Sequence, residues 1–316
     1  MKVLNIEPKG YSRQAYGILG RLGEVVEEEC NRSRLLSLIS KFDVLIVRLG
    51  HKIDAEVFEA GEKLQVVVTA TTGLNHIDLE EANRRGVKVL SLKGERQFLD
   101  SLTATAELTW TLLLALMRKL PQAHAHVSRG GWNRDLYIGN QLKSKTLGIV
   151  GFGRLGSIVA EYGLAFRMNV IATDPFVKNM HKDVEKVDLS VLLKSADVIS
   201  LHVNYGDETH HMINAQAFEA MKDGVVLINT SRGELIDEDA MLRCLDSGKL
   251  LGVGLDVLAN EAKKNTDWPK NSKVWQAASS KSNILLLPHL GGATFESMEA
   301  TEIFMAEKLL RYSNAN

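Results

Sequence analysis

Short apolar runs separated by polar or helical stretches recur along the chain. In the first hundred residues they fall at 3–6, 44–48, 66–70 and 87–90, and each is rich in Val, Leu or Ile. A second series falls at 146–150, 170–173, 198–201, 225–229, 251–256 and 284–287. Runs of this length, alternating with helical segments, predict strands buried in parallel sheets with helices over both faces. The expected fold class is therefore α/β, with two doubly wound parallel-sheet domains. Between the two series, residues 105–119 are rich in Leu, Ala and Met and stop before Pro121. Proline cannot continue a helix, so a long, largely buried linking helix is expected there. A last helix is expected over 294–311. Residues 263–282 are polar, carry Trp268, Pro269 and Trp275, and have no clear period. They read as a long irregular loop, either a cover over a ligand site or a plain surface excursion.

The strand at 146–150 runs straight into Gly151-Phe-Gly153-Arg154-Leu155-Gly156, a G-x-G-x-x-G turn. Gly151 permits the tight turn, Gly153 lets the backbone approach a pyrophosphate, and Gly156 lets the next helix pack closely. The N-terminus of that helix then presents unpaired N–H groups to phosphate. The following apolar run ends in Asp174, 23 residues after Gly151, where a carboxylate can accept the ribose hydroxyls. Together these features point to NAD as cofactor. A carboxylate at that position repels a 2'-phosphate, and Pro175-Phe176-Val177 offers no arginine to replace it.

Composition narrows the field without adding chemistry. At 316 residues the chain is long enough for two well-buried cores. With 45% hydrophobic residues, 24% charged residues and a formal net charge of -1, it shows no bias toward nucleic acid or an anionic membrane, which leaves a small molecule as the expected partner. Cys30 and Cys244 lie far apart and match no metal or redox spacing, so no metal is expected and the thiols suit a reducing compartment. The N-terminus lacks the apolar core of a signal peptide, and the apolar run at 108–117 is too short to span a bilayer. A cytoplasmic protein is expected.

Three polar residues stand just past expected strand ends, where open α/β sheets place their ligand crevice. Arg232, in Asn229-Thr230-Ser-Arg232-Gly233, can fork onto a carboxylate, and a surface ion pair suits it equally. Glu261 follows Gly254-Leu-Asp256 in a loop, where a glutamate is ordinarily just solvated. His289 ends the run 284–288 and precedes Gly291-Gly292; it can exchange a proton near neutral pH, or serve only in capping or packing.

The glycine motif with Asp174, then Asn229-Thr-Ser-Arg232-Gly, Gly254-Leu-Asp256 through Glu261, and Pro288-His289-Leu-Gly-Gly292 resemble the D-isomer-specific 2-hydroxyacid dehydrogenase family in identity, order and spacing. Thr72-Gly73-Leu74-Asn75-His-Ile-Asp78 and Ala106-Glu107 extend the resemblance over nearly the whole chain. The resemblance implies a discontinuous, flavodoxin-like substrate domain over 1–102 and 288–316, and an NAD-binding Rossmann domain over 103–287. It implies hydride transfer between nicotinamide and C2 of a small D-2-hydroxy or 2-oxo acid, with Arg232, Glu261 and His289 as the catalytic set. Arg232 would hold the carboxylate and the 2-oxygen, His289 would exchange the proton, and Glu261 would fix the imidazole tautomer. Gly151, Gly153, Arg154, Leu155, Gly156, Asp174 and His202 would line the cofactor. Asp256 would meet the nicotinamide amide, and Thr230 and Gly291 would contribute backbone. Arg48 and the backbone of Thr72, Gly73 and Leu74 would bind substrate. A homodimer paired through the nucleotide domains, with residues 105–119 in the interface, is also implied.

The chain departs from the family pattern in places. Ala262 stands where many members have proline, and His202-Val-Asn204 stands where they have His-x-Pro. Asn75 is similar to the phosphoglycerate dehydrogenase branch, whereas Leu49-Gly50-His51 lacks that branch's second arginine. A regulatory C-terminal domain is not expected. Candidate substrates are 3-phosphoglycerate, hydroxypyruvate and glyoxylate. The alternative from another class is an NAD(H)-binding corepressor-like or sensor protein without significant turnover. A formate dehydrogenase is a weaker reading, because that branch lacks the glutamate that Glu261 supplies.

Overall fold

The computed structural model describes residues 1–261 and 268–315; Ala262 and the start of the 263–282 segment lie outside the described residues. The chain divides into two compact units, Met1–Leu102 with Ala293–Asn316, and Thr103–Gly292.

In the first unit β1 (Lys2–Asn5), β2 (Glu24–Glu27), β3 (Val44–Val47), β4 (Val66–Thr69) and β5 (Lys88–Leu90) form one parallel sheet in the order β2-β1-β3-β4-β5. This is the flavodoxin-like order, whose ligand crevice lies where β1 and β3 diverge. Every residue of β3 and β4 is buried, as continuous apolar strands covered on both faces must be. One face carries Leu35, Val57, Phe58 and Ala82 from the helices Arg32–Leu38, Ala55–Ala60 and Leu79–Arg84. The other carries Ala15 and Leu19 from Arg13–Leu19 together with Met305, Ala306 and Leu309 from the last helix, Phe295–Ala315. The C-terminal segment thus closes the core that the N-terminal segment opens.

The second unit has seven parallel strands: β6 (Thr146–Val150), β7 (Asn169–Thr173), β8 (Val184–Lys186), β9 (Val198–Leu201), β10 (Val225–Asn229), β11 (Leu250–Leu255) and β12 (Ile284–Leu286). Their order is β12-β11-β10-β9-β6-β7-β8, so the winding reverses between β6 and β9. The helices Ala104–Met117 and Arg154–Ala165 cover one face through Trp110, Leu113, Val159 and Ala160. The helices Leu189–Ser195, Ala215–Ala220 and Glu238–Asp246 cover the other through Leu192, Phe218 and Met241.

Both sheets are of the doubly wound kind that the alternation predicts. β2 and β8 have no counterpart among the apolar runs. They are edge strands carrying Glu24, Glu27, Glu185 and Lys186, and edges tolerate charge because one side pairs with nothing. The loop expected over 263–282 needs correction. Lys273–Ser280 is a helix, capped by Ser272 and anchored by the fully buried Val274. With Val274 its one buried residue, it leaves no period to read. The linking helix ends at Met117, the chain turns at Lys119 with φ of 50°, and a second helix, Leu120–Ser128, takes Pro121 in its first turn, where a missing N–H costs little. Among the described residues no helix is long and apolar enough to cross a membrane.

Candidate active site

The glycine turn leaves β6 at the reversal point of the seven-stranded sheet. Gly151 has φ of +91°, and a Cβ there would sit 2.6 Å from the carbonyl oxygen of His202, so the ends of β6 and β9 touch backbone to backbone. At Gly156 a Cβ would lie 2.1 Å from the Gly151 carbonyl oxygen, which is the close packing of helix on turn. Gly153, by contrast, caps the helix and has nothing within 4 Å of where a Cβ would be. Open space in front of a helix N-terminus, next to backbone free of side chains, fits a pyrophosphate. Arg154 and Leu155 follow in the first turn and are half-buried. Asp174 follows β7 beside this turn. Its Oδ2 accepts the Phe152 N–H at 2.9 Å, and its Oδ1 accepts those of Phe176 and Val177 at 2.8 and 3.0 Å. The carboxylate therefore holds the glycine turn to the end of β7.

His202 follows β9. Its Nε2 is 2.8 Å from Ser200 Oγ, and its Nδ1 is buried without a hydrogen-bond partner among the described residues. An orphaned polar atom at the reversal point suits a cofactor group. Burial lowers the imidazole from its ordinary 6.5 to about 4, so it is neutral at neutral pH. Between those two values the unfolded chain binds a proton that the folded chain does not. Stability is thus complete above about pH 6.5 and declines as pH falls to about 4, by at most ~1.4 kcal/mol per pH unit. The urea midpoint of the wild-type protein should fall relative to that of His202→Asn as pH drops through this window; parallel curves across it would remove the effect. Thr230, buried after β10, shares a hydrogen bond between hydroxyls with Thr109 at 2.9 Å, which turns its side chain to the helix Ala104–Met117.

The Arg232, Glu261 and His289 segments come together in the same unit. Arg232 opens the turn after β10; its carbonyl accepts Asn229 Nδ2 at 2.8 Å and its Nη1 donates to the Ser231 carbonyl at 2.6 Å. His289 Nδ1 lies 2.6 Å from Glu261 Oε1, both side chains being about a fifth to a quarter exposed at 25% and 18%. Because a carboxylate only accepts, Nδ1 is the donor and Nε2 lies outside the pair. His289 has φ of +57°, a left-handed backbone that a histidine adopts only when its surroundings enforce it. Asp256 supplies the enforcement. Its carbonyl accepts the His289 N–H at 2.9 Å, its Oδ1 the Leu290 N–H at 2.6 Å, and its Oδ2 the Gly291 N–H at 2.7 Å. Burial raises the Asp256 carboxyl above the usual range, and the two amides pull it back. Asp256, expected beside the nicotinamide, thus spends both oxygens on the loop bearing His289.

In the first unit the Thr72-Gly73-Leu74 loop follows β4. It is braced by Thr71 Oγ1, which donates to the Gly73 carbonyl at 2.8 Å and lies 3.0 Å from Thr69 Oγ1. Arg48 follows β3. Its guanidinium is bound to the buried Glu302 and to the Lys9 carbonyl at 2.9 Å, and lies 5.7 Å from the centre of the Tyr11 ring. Its positive charge is already matched within the unit.

Glu234 and Glu238 escaped the sequence reading, although both hold the loop that bears Glu261. In sequence they are unremarkable acids at the start of a helix, and only the fold brings residues 256–261 against them. Among the described residues no group of three or more His, Cys, Asp or Glu side chains could hold a metal ion.

Residues 110–291 match the NAD binding domain of the D-isomer specific 2-hydroxyacid dehydrogenases. The chain is 37% identical over 288 residues to the hydroxypyruvate reductase of Thermotoga maritima, spanning 91% of this chain and 90% of that protein. It is 35% identical over 315 residues to the D-3-phosphoglycerate dehydrogenase of Archaeoglobus fulgidus, spanning 98% of this chain but 57% of that longer protein. Among solved structures, the D-lactate dehydrogenase of Aquifex aeolicus, complexed with NAD and lactic acid, is similar with a TM-score of 0.85 and 29% identity, covering 100% of this chain and 96% of that one.

Proposed function

Since the chain belongs to the D-isomer-specific 2-hydroxyacid dehydrogenase family, we propose that it is an NAD-dependent reductase of a small, unphosphorylated 2-oxo acid of the hydroxypyruvate or glyoxylate type. The observation that carries this reading is the His289–Glu261 pair, with Nδ1 held at 2.6 Å and Nε2 left for substrate. When bound, NADH supplies the hydride that adds to C2 of the substrate. Arg232 forks onto the substrate carboxylate and polarises the 2-oxygen. His289 delivers its Nε2 proton to that oxygen as C2 is reduced and recovers it in the reverse direction. Glu261 keeps the ring in the tautomer and orientation that this requires. The helix N-terminus behind Gly153 and the Asp174 carboxylate favour NAD over a cofactor with a 2'-phosphate.

The matched charge of Arg48 on Glu302 supports an acid without a phosphate, since a phosphate dianion gains little from a guanidinium already neutralised. The homology to a hydroxypyruvate reductase over most of both chains is in keeping with that choice. A homodimer is part of the same reading. Trp132 and Leu120 are 90% and 60% exposed around a groove of about 840 Å³ that Leu114, Ala115 and Tyr137 help to line. So large an uncovered apolar patch suits a second copy of the chain.

NADH oxidation by the purified protein against hydroxypyruvate, glyoxylate and 3-phosphohydroxypyruvate tests the reading. The expected result is turnover with kcat/KM at least about tenfold higher for an unphosphorylated acid, the equivalent of ~1.4 kcal/mol. A preference for the phosphorylated acid overturns the substrate class. NADH binding with no turnover of any acid overturns the enzyme reading in favour of a nucleotide sensor.

A further inference from the structure

The turn bearing Arg232 and the loop bearing Glu261 are joined by three contacts. At Gly233 a Cβ would lie 2.0 Å from both the Leu258 carbonyl carbon and the Ala259 nitrogen, so the loop backbone rests directly on that glycine. Glu234 Oε1 accepts the Asn260 N–H at 3.0 Å. Glu238 Oε1 accepts the Ala259 N–H at 2.9 Å. Glu238 is the first residue of the helix Glu238–Asp246, and helical side chains tilt toward the N-terminus, which carries its carboxylate back over the turn. Burial raises its carboxyl above the ordinary range, and the Ala259 amide draws it down. Two consecutive loop amides are thereby caught just before Glu261. Asn260, which bears the second of them, is left-handed, with φ of +63°, so the chain is turned sharply where it hands Glu261 to His289.

We infer that Glu238, assisted by Glu234, is a positioning residue for the reaction. By accepting the Ala259 amide, while Glu234 accepts that of Asn260, it fixes Glu261 at bonding distance from His289 Nδ1 and locks that pair to the turn bearing Arg232. The inference rests on the catalytic roles proposed above. Without the clamp the loop from Val257 onward keeps its buried anchors, Val257 and Leu258, but its far end is released. A displacement of about 1 Å at an orienting group is enough to cost up to ~10²-fold in rate.

The test is a double-mutant cycle with the 2-oxo acid that the wild-type enzyme reduces best, combined with amide exchange at Ala259. Glu238→Ala should speed exchange of the Ala259 amide and lower kcat about tenfold, yet lower it less than about twofold in a Glu261→Gln background, because the residue it positions is already disabled. Glu238→Gln keeps an acceptor and should recover most of the loss. Equal losses in the two backgrounds would mean general structural damage and overturn the inference, as would fast Ala259 exchange with kcat unchanged. If Glu261→Gln alone leaves kcat intact, the role given to Glu261 fails; the Ala259 exchange then shows whether the clamp itself exists.

Discussion

Replacing His289 with alanine is expected to lower kcat by about 10²–10⁴-fold, the range over which a positioned proton donor contributes, while the dissociation constant for NADH stays within about twofold. In the proposed role the side chain takes part in proton exchange at substrate and not in holding the nucleotide, so the two readouts should separate. Its Nδ1 is occupied by Glu261, and the backbone beneath it is fixed by Asp256. Removing the ring therefore leaves the loop in place. Steady-state kinetics beside fluorescence titration of NADH decide the matter. Comparable losses in turnover and in nucleotide affinity would show that the loop, not the proton, had been lost.

Asp256→Ala is expected to act on stability and turnover together. Two amides, of Leu290 and Gly291, would lose a buried acceptor, and each unsatisfied group costs about 1–3 kcal/mol. The left-handed conformation of His289 would lose the contacts that impose it, and release of its strain, about 1–3 kcal/mol, offsets part of that loss. The expected net effect is a destabilisation of roughly 1–4 kcal/mol in urea unfolding, with kcat falling as His289 swings away from Glu261. Asp256→Asn is informative because an amide side chain can accept from one of the two N–H groups but presents its own donor to the other. It should fall between wild type and alanine in stability. Wild-type stability in the alanine variant would contradict the clamp seen at 2.6 and 2.7 Å.

The glycine turn was legible from sequence because its demands are local. Gly151 needs a positive φ, Gly156 needs room for a neighbouring carbonyl, and both follow from the order strand, turn, helix. Arg232, Glu261 and His289 were legible only as single residues after strand ends, with a surface, solvated or packing role open to each until the motifs were compared as a set. The contact between Glu261 and His289 was expected from the family resemblance alone, since 28 positions separate them and nothing in either segment measures the gap. Arg48 illustrates the opposite case. In sequence it is a free basic residue, and in the fold it is bound to Glu302, 254 positions away. The helix Lys273–Ser280 went unseen because one buried valine is too little to set a period.

By itself the sequence determined the strands of both sheets apart from the charged edges, the α/β class, the nucleotide turn and its preference for NAD, because each depends on residues adjacent along the chain. Tertiary structure alone decided which groups meet. Asp256 gripping the His289 loop, Glu238 and Glu234 holding the Glu261 loop, and Glu302 neutralising Arg48 all arise when parallel strands from distant stretches end side by side. The order of those strands is a property of packing, which no local pattern carries.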